Sequence, residues 1–199
     1  MENLVKHNFN VTRSHRNGLN KHNSCVLWLT GLSGSGKSTI GNLIEKKLFD
    51  KNLRTFVLDG DNIRMGINKG LGFSAEDRQE NLRRIAEVAK LMVDAGIIVV
   101  AAFVSPLIKD RQLVKNIIGE DDFIECFVST SLEECERRDV KGFYAKARKG
   151  EIKNFTGISA PYEKPISPAI LLDTERFSPE ELADQAIEIL ENKNILYHE

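Results

Sequence analysis

The chain reads as a three-layer α/β protein, with a five-stranded parallel sheet flanked by helices. Three observations carry this reading. Short, almost wholly apolar runs of strand length alternate with longer segments whose apolar residues recur at helical spacing. Such alternation implies parallel strands joined by right-handed crossovers. The first apolar run ends in a glycine-rich turn that opens into the first of those helices. The 199 residues, 41% hydrophobic and 29% charged, are enough to bury one core without covalent staples.

Residues 1 to about 24 are polar and rich in Asn and His, and read as an amino-terminal arm packed on the domain or on a second subunit. The domain itself runs from 25 to 199. His7, His15 and His22 lie in the arm, without the spacing of a helical metal-ligand pair. Residues 25–30 form a continuous apolar run, as expected of a parallel strand covered on both faces. A helix follows over 37–52, with Ile40, Leu43, Ile44 and Leu48 on one face. Residues 55–59 are a second strand. Ser74 caps a long helix to residue 95, with Asp77 completing an approximate capping box and Gly96 ending it. Its apolar stripe is Leu82, Ile85, Ala86, Ala89, Met92 and Val93. Strands at 97–103 and 123–129 bracket a helix at 109–118, and 132–138 is helical. From about 140 to 167 the periodicity is lost and glycines interrupt the chain. That stretch is too long for an ordinary connection and reads as a lid. Residues 169–172 form the fifth strand. Ser178 and Pro179 start a final helix carrying Leu182, Ala186, Ile189 and Leu190.

Lys and Arg total 28 against 29 Asp and Glu, a net charge of -1. This balance argues against a protein that binds nucleic acid polymers, while leaving room for a local basic patch. No run approaches 18 apolar residues, so no membrane span is expected. Cys25, Cys126 and Cys135 form no C-x-x-C pair, and their odd number excludes a complete disulfide framework. Cys126, inside an apolar run, is expected as a buried reduced thiol. The first residues contain no apolar signal-peptide core. Together these point to a reducing, cytoplasmic protein.

Gly31, Leu32, Ser33, Gly34, Ser35, Gly36, Lys37 and Ser38, with Thr39 after them, fit G-x-x-x-x-G-K-[ST] between a strand and a helix. A chance match in this length is roughly a one-in-a-hundred event at ordinary glycine usage. The glycines let backbone N–H groups turn inward around phosphate oxygens, and the helix N-terminus adds its positive dipole end. Lys37 is placed to reach the β- and γ-phosphates of a triphosphate, and Ser38 to hold Mg²⁺. An N-K-x-D guanine reader is missing, since Asn68-Lys69 runs into Gly70-Leu71, and ATP is favoured over GTP.

The second strand ends in Asp59-Gly60-Asp61. Ligands of open α/β sheets bind beyond the carboxyl ends of the strands, which brings both carboxylates beside the phosphate loop. One could serve the metal and the other accept a hydroxyl proton; the bland alternative is a D-G turn with Asp61 as helix cap. Arg64, Arg78, Arg83 and Arg84 offer forks for anions, or a solvated helix face. Residues 137–153 hold seven basic side chains against Asp139 and Glu151, a basic patch on the lid that would neutralise phosphate charge on closing. Phe73 and Phe155 are loop aromatics able to stack on a base or to anchor their loops.

GLSGSGKST (31–39), LDGDNIRMGINKGLGFSAEDRQENLRR (58–84), FVSP (103–106) and RDVKGFYAKARKGEIKNFTGISAPYE (138–163) closely resemble the adenylylsulfate kinase family, of the P-loop kinase type, over nearly the whole chain. The resemblance implies transfer of the ATP γ-phosphoryl group to the 3′-hydroxyl of adenosine 5′-phosphosulfate, with Mg²⁺, by a homodimer. It implies Asp61 as base and Asp59 near the metal. It assigns Arg64, Arg78 and Asn81 to the phosphosulfate and ribose, Phe73 and Phe155 to a sandwich around the acceptor adenine, and Lys141 to the transferred phosphate. The family is described with a phosphoserine at the position of Ser105. A covalent intermediate needs an activating base beside the hydroxyl. None is evident in the sequence, so Ser105 is expected to contact substrate in a direct transfer.

Overall fold

The computed structural model describes residue 5 and residues 7–197. Strand β1 (Val26–Thr30) is buried along its whole length. Leu27 and Leu29 face one side, among Ile40, Ile44 and Leu48 of helix α2 (Lys37–Asp50) and Leu182, Ala186 and Leu190 of helix α8 (Pro179–Asn192). Val26 and Trp28 face the other, among Leu82, Ile85 and Ala89 of α4 (Ala75–Asp94) and Val114 and Ile118 of α5 (Ile108–Ile118). A strand covered on both faces has no polar side to show, which is why it reads as one apolar run.

The remaining strands are β2 (Thr55–Asp59), β3 (Ile98–Ala102), β4 (Phe123–Ser129) and β5 (Ile170–Asp173). All pair in parallel, in the order β2-β3-β1-β4-β5. The five predicted strands are the five observed, to within a residue at each end. Ser74 caps α4 by accepting from the Asp77 N–H, one half of the predicted box. At α8 the box is complete, between Ser178 and Glu181.

Helices α1 (Arg13–Asn20), α3 (Gly60–Met65), α6 (Leu132–Arg138) and α7 (Phe143–Arg148) complete the described fold. Of these only α6 was predicted. Helix α1 has no apolar stripe and is held by polar ties. The Arg13 guanidinium bonds both Asp122 oxygens at 2.6 and 2.7 Å, and Asn20 donates to the Gly96 carbonyl at 2.8 Å. His15 Nδ1 accepts from the Thr12 N–H at 3.2 Å, and His22 is fully buried. Helix α7 lies inside the segment predicted as a lid. It is started by the Asp139 carboxylate, which accepts from the N–H groups of Tyr144 and Ala145, each at 3.0 Å. The thiols of Cys25, Cys126 and Cys135 are free and buried.

Candidate active site

The strand order reverses at β1, so its carboxyl end opens the crevice where α/β proteins bind ligands. A cavity of about 810 Å³ lies there. Every predicted site residue lines it except Gly31 and Leu32, which form the loop's entrance from β1.

The loop's geometry follows from its glycines. A Cβ on Gly31 would lie 2.5 Å from the Val128 carbonyl oxygen, so no larger residue fits. Gly36 caps α2 at φ +102°, a left-handed conformation that glycine adopts without strain. Lys37 is buried, its Nζ donating to the carbonyls of Gly31 (2.9 Å) and Leu32 (2.6 Å). Loss of water around the ammonium lowers its pKa to about 8.

Asp59 joins the loop to the next element. Its Oδ2 accepts from Ser38 Oγ at 2.7 Å, and its Oδ1 accepts from the Asp61 N–H at 3.0 Å. The D-G turn does carry a helix cap, but Asp59 provides it. The Asp61 carboxylate is left to project outward, where the Lys141 ammonium pairs with it.

The other end of the cavity is aromatic. Phe73 is exposed, with the Arg64 guanidinium 4.5 Å above its ring centre. Arg64 donates to the carbonyls of Leu71 and Gly72 at 3.1 and 2.9 Å. Arg78 donates through Nε to the Phe73 carbonyl (3.0 Å), through Nη1 to Thr156 Oγ1 (2.9 Å) and through Nη2 to the Asn154 carbonyl (2.6 Å). Expected as an anion fork, Arg78 is here a clamp joining the backbones that carry Phe73 and Phe155. Phe155 is half-buried, meeting Tyr144 and Phe143 edge-on with ring centres 5.0 and 6.5 Å away. Asn81 is buried, and its Oδ1 accepts from Asn68 at 2.9 Å.

Ser105 sits at φ +37°, strained for a residue with a Cβ. Its Oγ accepts from the Trp28 indole N–H at 3.0 Å and donates to the Phe103 carbonyl at 3.3 Å. The Arg111 guanidinium holds its carbonyl at 2.8 Å. The partners found for the hydroxyl are thus an indole and a carbonyl, neither of which is a base.

The basic run is less basic than its local count. Arg137 and Arg138 pair with Glu134, and Arg148 pairs with Glu136, acids just upstream of the counted window. Arg138 also donates to Thr174 Oγ1 at 3.3 Å, and Thr174 and Phe177 line the cavity beyond β5. Sequence reasoning passed over these two; the strand-end rule that located Asp59 would have found them. Tyr144, Arg111 and Trp28 were missed because nothing local marks them.

The family model for adenylylsulphate kinase matches residues 23–173, more than half of the chain. The adenylyl-sulfate kinase of Lactiplantibacillus plantarum is 60% identical over 175 residues, covering 88% of this chain and 84% of that protein. That of Oceanobacillus iheyensis is 54% identical over 194 residues, covering 98% of each chain. Among solved structures, the APS kinase of Mycobacterium tuberculosis, in complex with AMPPNP and APS, superposes with a TM-score of 0.82. It is 48% identical, over 85% of this chain and 99% of that one. A gluconokinase from Sinorhizobium meliloti, 17% identical at a TM-score of 0.58, shares the fold alone. A phosphate loop at the sheet's reversal point and an aromatic second pocket fit this likeness, and the chain belongs to the adenylylsulphate kinase family.

Proposed function

We propose that the protein transfers the γ-phosphoryl group of ATP to the 3′-hydroxyl of adenosine 5′-phosphosulfate. The observation that carries this is a single cavity lined together by Lys37, Ser38, Asp61, Phe73 and Phe155. A phosphate cradle, a carboxylate and two aromatic rings line one cavity, the set that a triphosphate donor, a ribose hydroxyl and an acceptor base require. A switch protein has no use for the second pocket, and an acceptor without a base would leave both aromatic rings without a purpose.

The acceptor 3′-oxygen attacks the γ-phosphorus in line, the bond from that phosphorus to the β,γ-bridging oxygen breaks, and ADP leaves. Asp61 takes the hydroxyl proton. Lys37 exchanges its loop carbonyls for phosphate oxygens, and Lys141 turns from Asp61 to the transferred group. Arg78 acts chiefly by holding Phe73 and Phe155 at a fixed separation around the adenine. Arg64 and Asn81 border the same pocket. Ser105 contacts substrate without carrying the phosphoryl group, since its hydroxyl is engaged by Trp28 and the Phe103 carbonyl.

Ser38 Oγ and Asp59 Oδ2, 2.7 Å apart beside the loop, form the hard oxygen pair that suits Mg²⁺, which takes its other ligands from water and phosphate. Bound there, the ion would neutralise charge on the β- and γ-phosphates. The segment 140–167 serves as the lid, tied down by Lys141 to Asp61 and by Asn154 and Thr156 to Arg78. We read the enzyme as a cytoplasmic homodimer; its free buried thiols suit a reducing compartment.

The deciding experiment is an ATP-consumption assay with adenylylsulfate, gluconate and shikimate as alternative acceptors. Turnover with adenylylsulfate alone is expected. Preference for either acceptor lacking an adenine would overturn the assignment.

A further inference from the structure

Resting on the two-subsite reading above, we propose that Tyr144 is a positioning residue that couples the subsites: its ring sets Phe155, and its hydroxyl fastens that ring to the phosphate loop. Tyr144 is buried and does not line the cavity, so it acts on substrates only through its neighbours. Its hydroxyl donates to the carbonyl of Ser33, in the middle of the phosphate loop, at 2.8 Å, across 111 positions of sequence. The ring meets Phe155 edge-on, with an interplanar angle of 84° and centres 5.0 Å apart. One rigid side chain therefore touches the donor cradle with one end and an acceptor-stacking ring with its flank.

The surroundings leave Tyr144 little freedom. Asp139 accepts from its backbone N–H at 3.0 Å and fixes the start of α7. Phe155 is restrained from the far side, where Arg78 holds the Asn154 carbonyl and Thr156 Oγ1. Its ring is thus held between the Arg78 clamp on one side and Tyr144 and Phe143 on the other, with its backbone N–H donating to Ser159 Oγ. The loop carbonyls that hold Lys37 belong to Gly31 and Leu32, immediately before Ser33. Phosphate that draws the ammonium off those carbonyls rearranges the peptides next to the Tyr144 anchor. Filling the donor cradle thereby biases the ring that the acceptor adenine stacks on. Such a coupling is a free energy shared by both sites and must act equally in both directions.

The test is calorimetric titration of adenylylsulfate into the full-length enzyme, with and without a saturating non-hydrolysable ATP analogue. Wild type, Tyr144→Phe, Phe155→Leu and the double variant are compared, each with a thermal melt. Tyr144→Phe keeps the ring and removes the hydroxyl, with its bond to the Ser33 carbonyl and its contact with the Cys135 thiol. The analogue is expected to tighten acceptor binding in wild type, and Tyr144→Phe should lose roughly fivefold or more of that gain, with acceptor affinity in the absence of analogue moving by less than about twofold. In the Phe155→Leu background, Tyr144→Phe should have no further effect, because the path is already cut. Phe155→Leu alone should show the same loss of analogue-dependent gain, which keeps the test open if Tyr144→Phe does not fold. The proposal is overturned by a wild type without coupling, by an unchanged gain in Tyr144→Phe, or by additive effects in the double variant. A lowered melt with equal weakening of adenylylsulfate in the presence and absence of the analogue would also overturn it, as a purely structural role. Wild type that neither binds nor phosphorylates adenylylsulfate refutes the proposed function instead, which separates the two failures.

Discussion

Lys37 pays for its position in the loop with lost hydration, and its pKa of about 8 makes donor binding sensitive to pH. Below that value the ammonium is charged and attracts phosphate; above it the free enzyme must first take up a proton. Affinity for an ATP analogue should therefore be flat below about pH 7 and fall by up to about tenfold per pH unit above about pH 8. Calorimetry across that range, with Lys37→Met lacking the step, checks this; constant wild-type affinity to alkaline pH contradicts it. Asp61 has no capping duty, because Asp59 accepts the N–H that begins α3. Asp61→Asn should keep its fold and bind both substrates while turnover drops ~10²–10⁴-fold, the usual worth of a general base. Unaltered turnover would remove Asp61 from the chemistry. Ser105→Ala should retain measurable turnover yet lose about 1–3 kcal/mol of stability, since it strips the buried Trp28 N–H of its acceptor. A melt and an assay on the same preparation answer both parts. A well-folded variant without activity would restore the covalent intermediate.

The elements around the acceptor pocket are held by side chains that cross between them. Arg78 on α4 reaches the Phe73 carbonyl ahead of its own helix and Asn154 and Thr156 in the segment above. An arginine fork can satisfy several acceptors at fixed angles, whereas a lysine has one nitrogen. Arg78→Lys keeps the charge but should let the two aromatic rings drift apart. The expected result is a rise in the Michaelis constant for adenylylsulfate of roughly 5- to 150-fold, the value of a lost base-stacking contact, with that for ATP little changed. If both constants rise together, or neither moves, Arg78 is not the spacer. Pairing of the same kind lowers the charge of residues 137–153: α6 supplies Glu134 and Glu136 against Arg137, Arg138 and Arg148, so the segment is less basic than a local count implies.

Across the whole molecule, His22 ties the segment before β1 to Arg54, the residue before β2, and to Leu196 after α8. Its Nδ1–H donates to the Asn23 carbonyl at 2.7 Å and its Nε2 accepts from the Arg54 N–H at 3.0 Å, an arrangement only the neutral ring can make. It also bridges to Leu196. Burial lowers its pKa below the usual 6.5, the nearby Arg54 adding to the shift. The unfolded chain therefore takes up a proton first as pH falls, and folding loses stability from about pH 6.5 down to the lowered folded value. Above that window the contribution is fully present. Urea midpoints measured at about pH 7.5 and about pH 5.5 should fall for wild type and move less for His22→Gln. Equal acid sensitivity in the two proteins would acquit His22.

The five strands and the phosphate loop were legible in the sequence because each is written locally. A strand buried on both faces must be apolar throughout, and a loop that wraps phosphate must place its glycines within one turn of chain. The long helices announced themselves by the stripe they bury. Helices α1, α3 and α7 did not, because each is only six to eight residues long and is held or started by polar partners such as Asp122, Asp59 and Asp139, too short to show a stripe. The lining residues were named from motifs and family resemblance, but their partners were not. Lys141 with Asp61, Arg78 with Thr156, and Tyr144 with Ser33 join positions 80, 78 and 111 residues apart. Periodicity reports which face of an element is buried. Polar pairing across such separations depends on where the sheet's crossovers return the chain, and only the tertiary structure decides that.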